Sequence, residues 1–218
     1  MNAAYGHDRA VARAAYVFAF PLVLYYADMY AQAVDQSSLS YTGMSAWRHT
    51  RRGGEPSHAG PGESVDLVAW IDARAEPSVL CTTRGEEDRR ASIRIADLWG
   101  HEAHGSTSLQ NVGAEESRVI IASPTWVGEM PDGIDHVVRG ESSFLRVAIS
   151  TEVHSDEQGR SSEKLHAGCA LCALSVHAAH KAPQSPPMDW VPWTAGDEIT
   201  NQFWSVAAFA MSMVELHP

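Results

Sequence analysis

The chain has 218 residues, 44% of them hydrophobic and 20% charged, enough for one large domain with a core of its own. A net charge of −11, from 16 Lys+Arg against 27 Asp+Glu, argues against nucleic acid and anionic membrane surfaces as partners, since both require a basic face. Three cysteines are an odd number for a disulfide framework, and the first residues show no basic segment leading into an apolar run and cleavage site, so a cytoplasmic protein without a secretory signal is expected.

Residues 1–36 read as a helical lead-in. Asp8 can cap a helix running to Val34, with Ala, Val, Phe and Leu at helical spacing. Pro21 inside it predicts a kink or a split. The segment is apolar almost all round, which predicts burial, and its longest apolar run, Ala14 to Ala27, is short for a bilayer. Residues 37–62, rich in Gly, Ser, Pro and Arg, read as a long loop. From 63 to 153 the period changes. Val65–Ala75, Ser78–Thr83, Ala91–Trp99, Arg118–Ala122 and Ser143–Ser150 are short β-prone runs divided by turn signals such as Glu76–Pro77 and Arg139–Gly140. No long helices alternate with them, which argues against a doubly wound parallel sheet. Ser161 to His180 and Asp197 to Leu216 read as helices, joined by a proline-rich connector at 183–192. The expectation is a single α+β domain, 1–218: an antiparallel, sandwich-like sheet core with a kinked N-terminal helix and C-terminal helices.

Several stretches, in this order, resemble a bacterial family known as domain of unknown function 1254. Ala15–Leu22 is similar to its opening helix with a Pro-Leu step. Val68–Asp72 followed by Glu76–Leu80 is similar to its strand pair. Arg90–Trp99 resembles its next strand, with Asp97 near the end. Ser123–Pro124–Thr125–Trp126, Gly128 and Pro131 resemble a later Gly-Pro-x-Trp, Gly, Pro pattern. The resemblance implies a β-rich sandwich with flanking helices. It also implies a second β-domain, domain of unknown function 1214, which is not expected in this chain. The family's Asn-x-Asp-Thr-x-Tyr run falls on Pro61–Asp66, so its Asp, Thr and Tyr become Glu63, Ser64 and Asp66. Its Arg-Tyr-Tyr becomes Arg90–Ala91–Ser92, and a later Arg becomes Thr107. If these positions line a pocket, the pocket is larger and less cationic here.

The chemistry-bearing candidates follow from strand ends, where scaffolds present polar groups. In Asp97–Leu98–Trp99–Gly100–His101–Glu102–Ala103–His104–Gly105, His101 can act as acid or base, with Asp97 or Glu102 to orient it. Glu63 is a candidate pocket base. The expected catalytic residues are thus His101, Glu63, Asp97 and Glu102. The expected substrate contacts are Ser64, Asp66, Tyr16, Tyr26, Trp70, Arg90, Trp99, His104 and Thr107. No metal ligand and no cofactor are assigned: His101 and His104 lack the His-Glu-x-x-His spacing. His166, Cys169, Cys172, His177 and His180 on one helix span too far for a tetrahedral site, so a helix face with two core cysteines is expected.

Gly-x-Gly-x-x-Gly, Gly-x-x-x-x-Gly-Lys and Gly-x-Ser-x-Gly are absent from the sequence, which disfavours nucleotide-dependent and serine-hydrolase chemistry. The expected function is metal-free acid–base chemistry on an apolar small molecule in a biosynthetic pathway, of isomerase, cyclase, lyase or hydrolase type. The alternative is a non-catalytic binding protein or accessory subunit. A C-terminal helix bearing Phe203, Trp204, Phe209, Met211 and Met213, left bare without a second domain, predicts a homodimer.

Overall fold

A computed structural model describes residues 2–52, 64–83, 91–103, 110–112, 116–152 and 168–214. Helix α1 spans Asn2–Met29 and continues as a π-helical turn at Tyr30–Val34. The strands are β1 Arg48–Arg52, β2 Ser64–Asp72, β3 Ser78–Thr82, β4 Ala91–Ala96, β5 Gln110–Val112, β6 Ser117–Ala122, β7 His136–Arg139, β8 Phe144–Glu152 and β9 Cys169–Ala173. The one-turn helix α2 covers Leu174–His177, and helix α3 covers Gln202–Met211 after a 3-10 turn at Asp197–Ile199.

The strands form two sheets. The first, in the order β1-β2-β8-β4-β5, is antiparallel throughout; the second runs β7-β6-β3-β9, with β6 and β7 parallel and the other pairs antiparallel. Alternation along each strand makes the sandwich, because successive side chains point to opposite faces. Leu67 and Ile71 of β2, Ile93 and Ile95 of β4, and Leu145, Val147 and Ile149 of β8 face Leu80, Val119, Ile121 and Val138 of the second sheet. The outer face of the second sheet carries a smaller cluster, Val79, Ile120 and Ala122, packed with Trp126 and Cys172.

The outer face of the first sheet is covered by α1 and the C-terminal segment. Trp70 and Phe144 leave the sheet to pack with Leu22, Val23, Tyr26 and Met29 of α1 and with Phe203 and Val206 of α3. Asp28 pins this layer down. Its carboxylate accepts the Trp70 indole N–H at 3.0 Å and an Arg48 N–H at 2.9 Å, and lies 3.5 Å from Arg146 Nε.

The five runs predicted as strands are β2, β3, β4, β6 and β8, with every end within three residues. The α+β class and the two-sheet core are as expected. Other expectations are corrected. The loop expected over 37–62 contains β1, which extends the first sheet beside β2. The helix expected over 161–180 is β9 and one helical turn in its described part, because an alanine-rich segment closes the edge of β3 where the sheet offers unpaired backbone groups. Helix α1 is not split at Pro21. It is also not buried all round: Ala19, Leu22, Val23, Tyr26, Met29 and Ala33 are buried, while Val11, Val17, Phe18 and Leu24 are exposed. Taken from His7 to Val34, it is long and apolar enough by length and composition to cross a membrane, longer than its apolar run alone implied. The C-terminal helix is shorter than expected and partly covered: Phe203 is buried with its ring 4.3 Å from that of Tyr16, while Trp204 is exposed.

Candidate functional site

Strand β4 ends at Ala96, and the next five residues fold into a tight turn organised by Asp97. Its Oδ1 accepts the backbone N–H of Trp99 at 2.8 Å and of His101 at 2.9 Å. The Gly100 N–H donates to the Asp97 carbonyl, and the Asp97 N–H to that of His101. The local cause is the sequence Asp-x-x-Gly-His. Aspartate readily bonds the backbone two residues on, and Gly100 holds φ +80°, the left-handed region where a side chain is strained. A Cβ at Gly100 would also stand 2.8 Å from the ring of Tyr25, so the turn is seated directly on α1.

A second segment closes on this turn. Ser142 accepts the Leu98 N–H at 3.3 Å and donates to the Phe144 carbonyl at 2.6 Å. Gly140 precedes it, close enough to Leu145 that any side chain there would collide. This segment delivers Glu141. His101 Nδ1 then lies 4.0 Å from Asp97 Oδ2 and 4.0 Å from Glu141 Oε2. One ligand-type atom from each of the three residues falls within 4.8 Å of the others.

Burial differs sharply across the three. The Asp97 side chain is 1% exposed, His101 65% and Glu141 37%. Burial pushes the Asp97 carboxyl above the usual carboxylate range; its bonds from His101 and Trp99 and the nearby imidazole pull back, and Glu141 adds to the rise. Asp97 Oδ2 is buried without a hydrogen-bond partner. Among the described residues, three other buried side-chain atoms share that state, Gln32 Oε1, Trp47 Nε1 and Arg48 Nε, and none is a carboxylate oxygen. An apolar wall adjoins the turn, where the exposed Phe18 ring packs 5.1 Å from that of Trp99. Phe18 also ends an open groove along α1 lined by Arg9, Arg13 and Val17.

The structure therefore brings together two of the expected catalytic residues, Asp97 and His101, and adds Glu141, which sequence reasoning missed. Its only signal was the Arg139–Gly140 turn just before it. Glu102 pairs with Arg94 at 3.0 Å. Trp99 lies within the turn, its N–H bonded to Asp97 Oδ1. Tyr26 and Trp70 are fully buried, with their polar groups bonded to the Val191 carbonyl and to Asp28, so they are packing rather than pocket wall. Tyr16 donates to the Glu198 carbonyl and lies on Phe203. The backbones of Ser64 and Asp66 lie in β2, in register with Arg52 and Thr50. Glu63, Arg90, His104 and Thr107 fall outside the described residues, as does His166.

The cysteines do not form one group. Cys169 faces the sandwich core and Cys172 the opposite face, because three positions along a strand reverse the side. All three cysteines are free thiols. Burial raises each, Cys169 to about 11.

Comparison with known proteins returns one family, described as a protein of unknown function (DUF1254), whose pattern matches residues 61–171. The match runs from β2 into β9 and includes Asp97, His101 and Glu141. The crystal structure of the VPA0106 protein from Vibrio parahaemolyticus is similar with a TM-score of 0.68 at 17% identity, over 92% of this chain and 46% of that one. At that identity the likeness is one of fold, and the chain spans less than half of that protein's length. No curated protein matches.

Proposed function

This chain belongs to the DUF1254 family, and from that premise we propose that it is an enzyme performing acid–base chemistry on an apolar small molecule at the Asp97 turn, of isomerase, cyclase, lyase or hydrolase type. The observation that carries the reading is the buried, unpartnered Asp97 Oδ2 facing an imidazole, with a second carboxylate converging on the same nitrogen. An orphaned carboxylate oxygen costs free energy in a folded interior and is retained where it has work to perform. Carboxylate, imidazole and carboxylate form a set that can take a proton from one substrate atom and return it to another. In this reading Asp97 orients the imidazole, His101 meets the substrate, and Glu141 flanks it. Phe18 and Trp99 supply the apolar surface beside them.

The test is an untargeted comparison of small-molecule extracts incubated with wild-type protein and with His101→Ala. The expected result is a compound consumed by the wild type, with a product of equal or water-shifted mass, and left intact by the variant. Full turnover of that compound by His101→Ala overturns the residue assignment. A ligand that binds the wild type and is released unchanged supports the binding-protein alternative instead.

A further inference from the structure

We infer that Asp97, His101 and Glu141 form a binding site for one divalent transition-metal ion, with zinc as its best probe. The inference rests on the reading above only for placing the chemistry at this turn; with an ion held by these three side chains they would act as ligands instead of as a direct proton relay, a departure from the metal-free expectation drawn from the sequence.

Three independent features of the cluster agree. The first is spacing. Ligand-type atoms within 4.8 Å of one another, two of the pairs at 4.0 Å, leave a common centre about 2.5 Å from each. Zinc bonds to imidazole nitrogen and carboxylate oxygen are about 2.0–2.2 Å. The shortfall is a few tenths of an ångström. The exposed His101 can shift to close it, while the buried Asp97 stays fixed.

The second is the orphaned oxygen. Asp97 Oδ2 is buried, aimed at the cluster, and has no donor. The other oxygen of the same carboxylate is locked by two backbone N–H groups. One oxygen anchored and one offered is how a metal-ligating carboxylate is held by its surroundings.

The third is the donor set. One imidazole nitrogen with two carboxylates favours zinc, manganese or iron over calcium or magnesium, which take oxygen ligands. Three protein ligands leave at least one coordination position open, as in catalytic rather than structural sites.

The experiment uses the full chain. Protein stripped with a chelator is titrated with Zn²⁺ by isothermal calorimetry, and bound metal is counted by mass spectrometry of the acid-digested protein. One equivalent per chain is expected in the wild type. Asp97→Asn, Glu141→Gln and His101→Ala are each expected to weaken binding by about tenfold or more, with far-UV circular dichroism unchanged. Asp97→Asn preserves the shape of the buried side chain, and His101 lies at the surface, so loss of binding in both is not loss of fold. Wild-type protein that takes up no zinc, or three variants that bind it as well as the wild type, overturns the site. Because metal is counted without substrate, zinc binding can fail while turnover persists, or hold where none is found, and the two readings fall separately.

Discussion

Replacing Asp97 tests the whole turn. Two variants separate its two oxygens. Asp97→Ala removes the acceptor for the Trp99 and His101 N–H groups. Leaving such donors unmade costs about 1–3 kcal/mol each. Removing a buried carboxylate returns part of that, so a net loss of about 2–4 kcal/mol is expected. Asp97→Asn keeps a carbonyl oxygen in the Oδ1 position. It exchanges charge-assisted bonds for neutral ones of about half the strength, and it relieves a carboxylate that burial already disfavours. These effects oppose each other, and a change within about 1 kcal/mol is expected. Urea unfolding followed by circular dichroism measures both, and near the thermal midpoint each kcal/mol corresponds to about 2–4 °C for a chain of this size. The reasoning is refuted if the asparagine variant is as unstable as the alanine variant, or if the alanine variant loses less than about 1 kcal/mol.

Three further outcomes are expected. Gly100→Ala, which needs a side chain at φ +80° and 2.8 Å from Tyr25, should lose about 2 kcal/mol or more and disturb the turn; a thermal midpoint equal to wild type contradicts this. Trp70→Phe keeps most of the buried ring but loses the N–H to Asp28, and should cost about 1–2 kcal/mol, against about 3–5 for Trp70→Ala, by denaturant titration. Burial raises the Cys169 thiol from 9.0 to about 11, so the folded state holds that proton more tightly than the unfolded chain. The stabilisation is complete below pH 9 and is lost as the pH rises through about 11, a difference of about 2–3 kcal/mol. A Cys169→Ala variant should show a correspondingly shallower decline in stability across that window; an identical decline would mean that the thiol does not contribute.

The residues alone determined the frame of this molecule. Val65–Ala75, Ser78–Thr83, Ala91–Trp99, Arg118–Ala122 and Ser143–Ser150 carry dense β-branched and aliphatic side chains between turn signals, and each is a strand, because hydrophobic pattern and turn chemistry act locally. The α1 helix is legible for the same reason. Asp97 and His101 are legible as candidates by their place at a strand end. The partners of those elements depended on tertiary structure. Residues 169–173 have the composition of a helix and form a strand because β3 presents an open edge to them. Tyr26 and Trp70 look like pocket residues until the covering α1 and C-terminal layer bury both. Glu141 lies 40 positions from His101 and has no motif of its own; only the closure of the Gly140–Ser142 segment onto Leu98 sets it 4.0 Å from the imidazole. Periodicity is a property of neighbours in the chain. A site assembled from two loops is a property of how the sheet register and the buried hydrogen bonds hold those loops together.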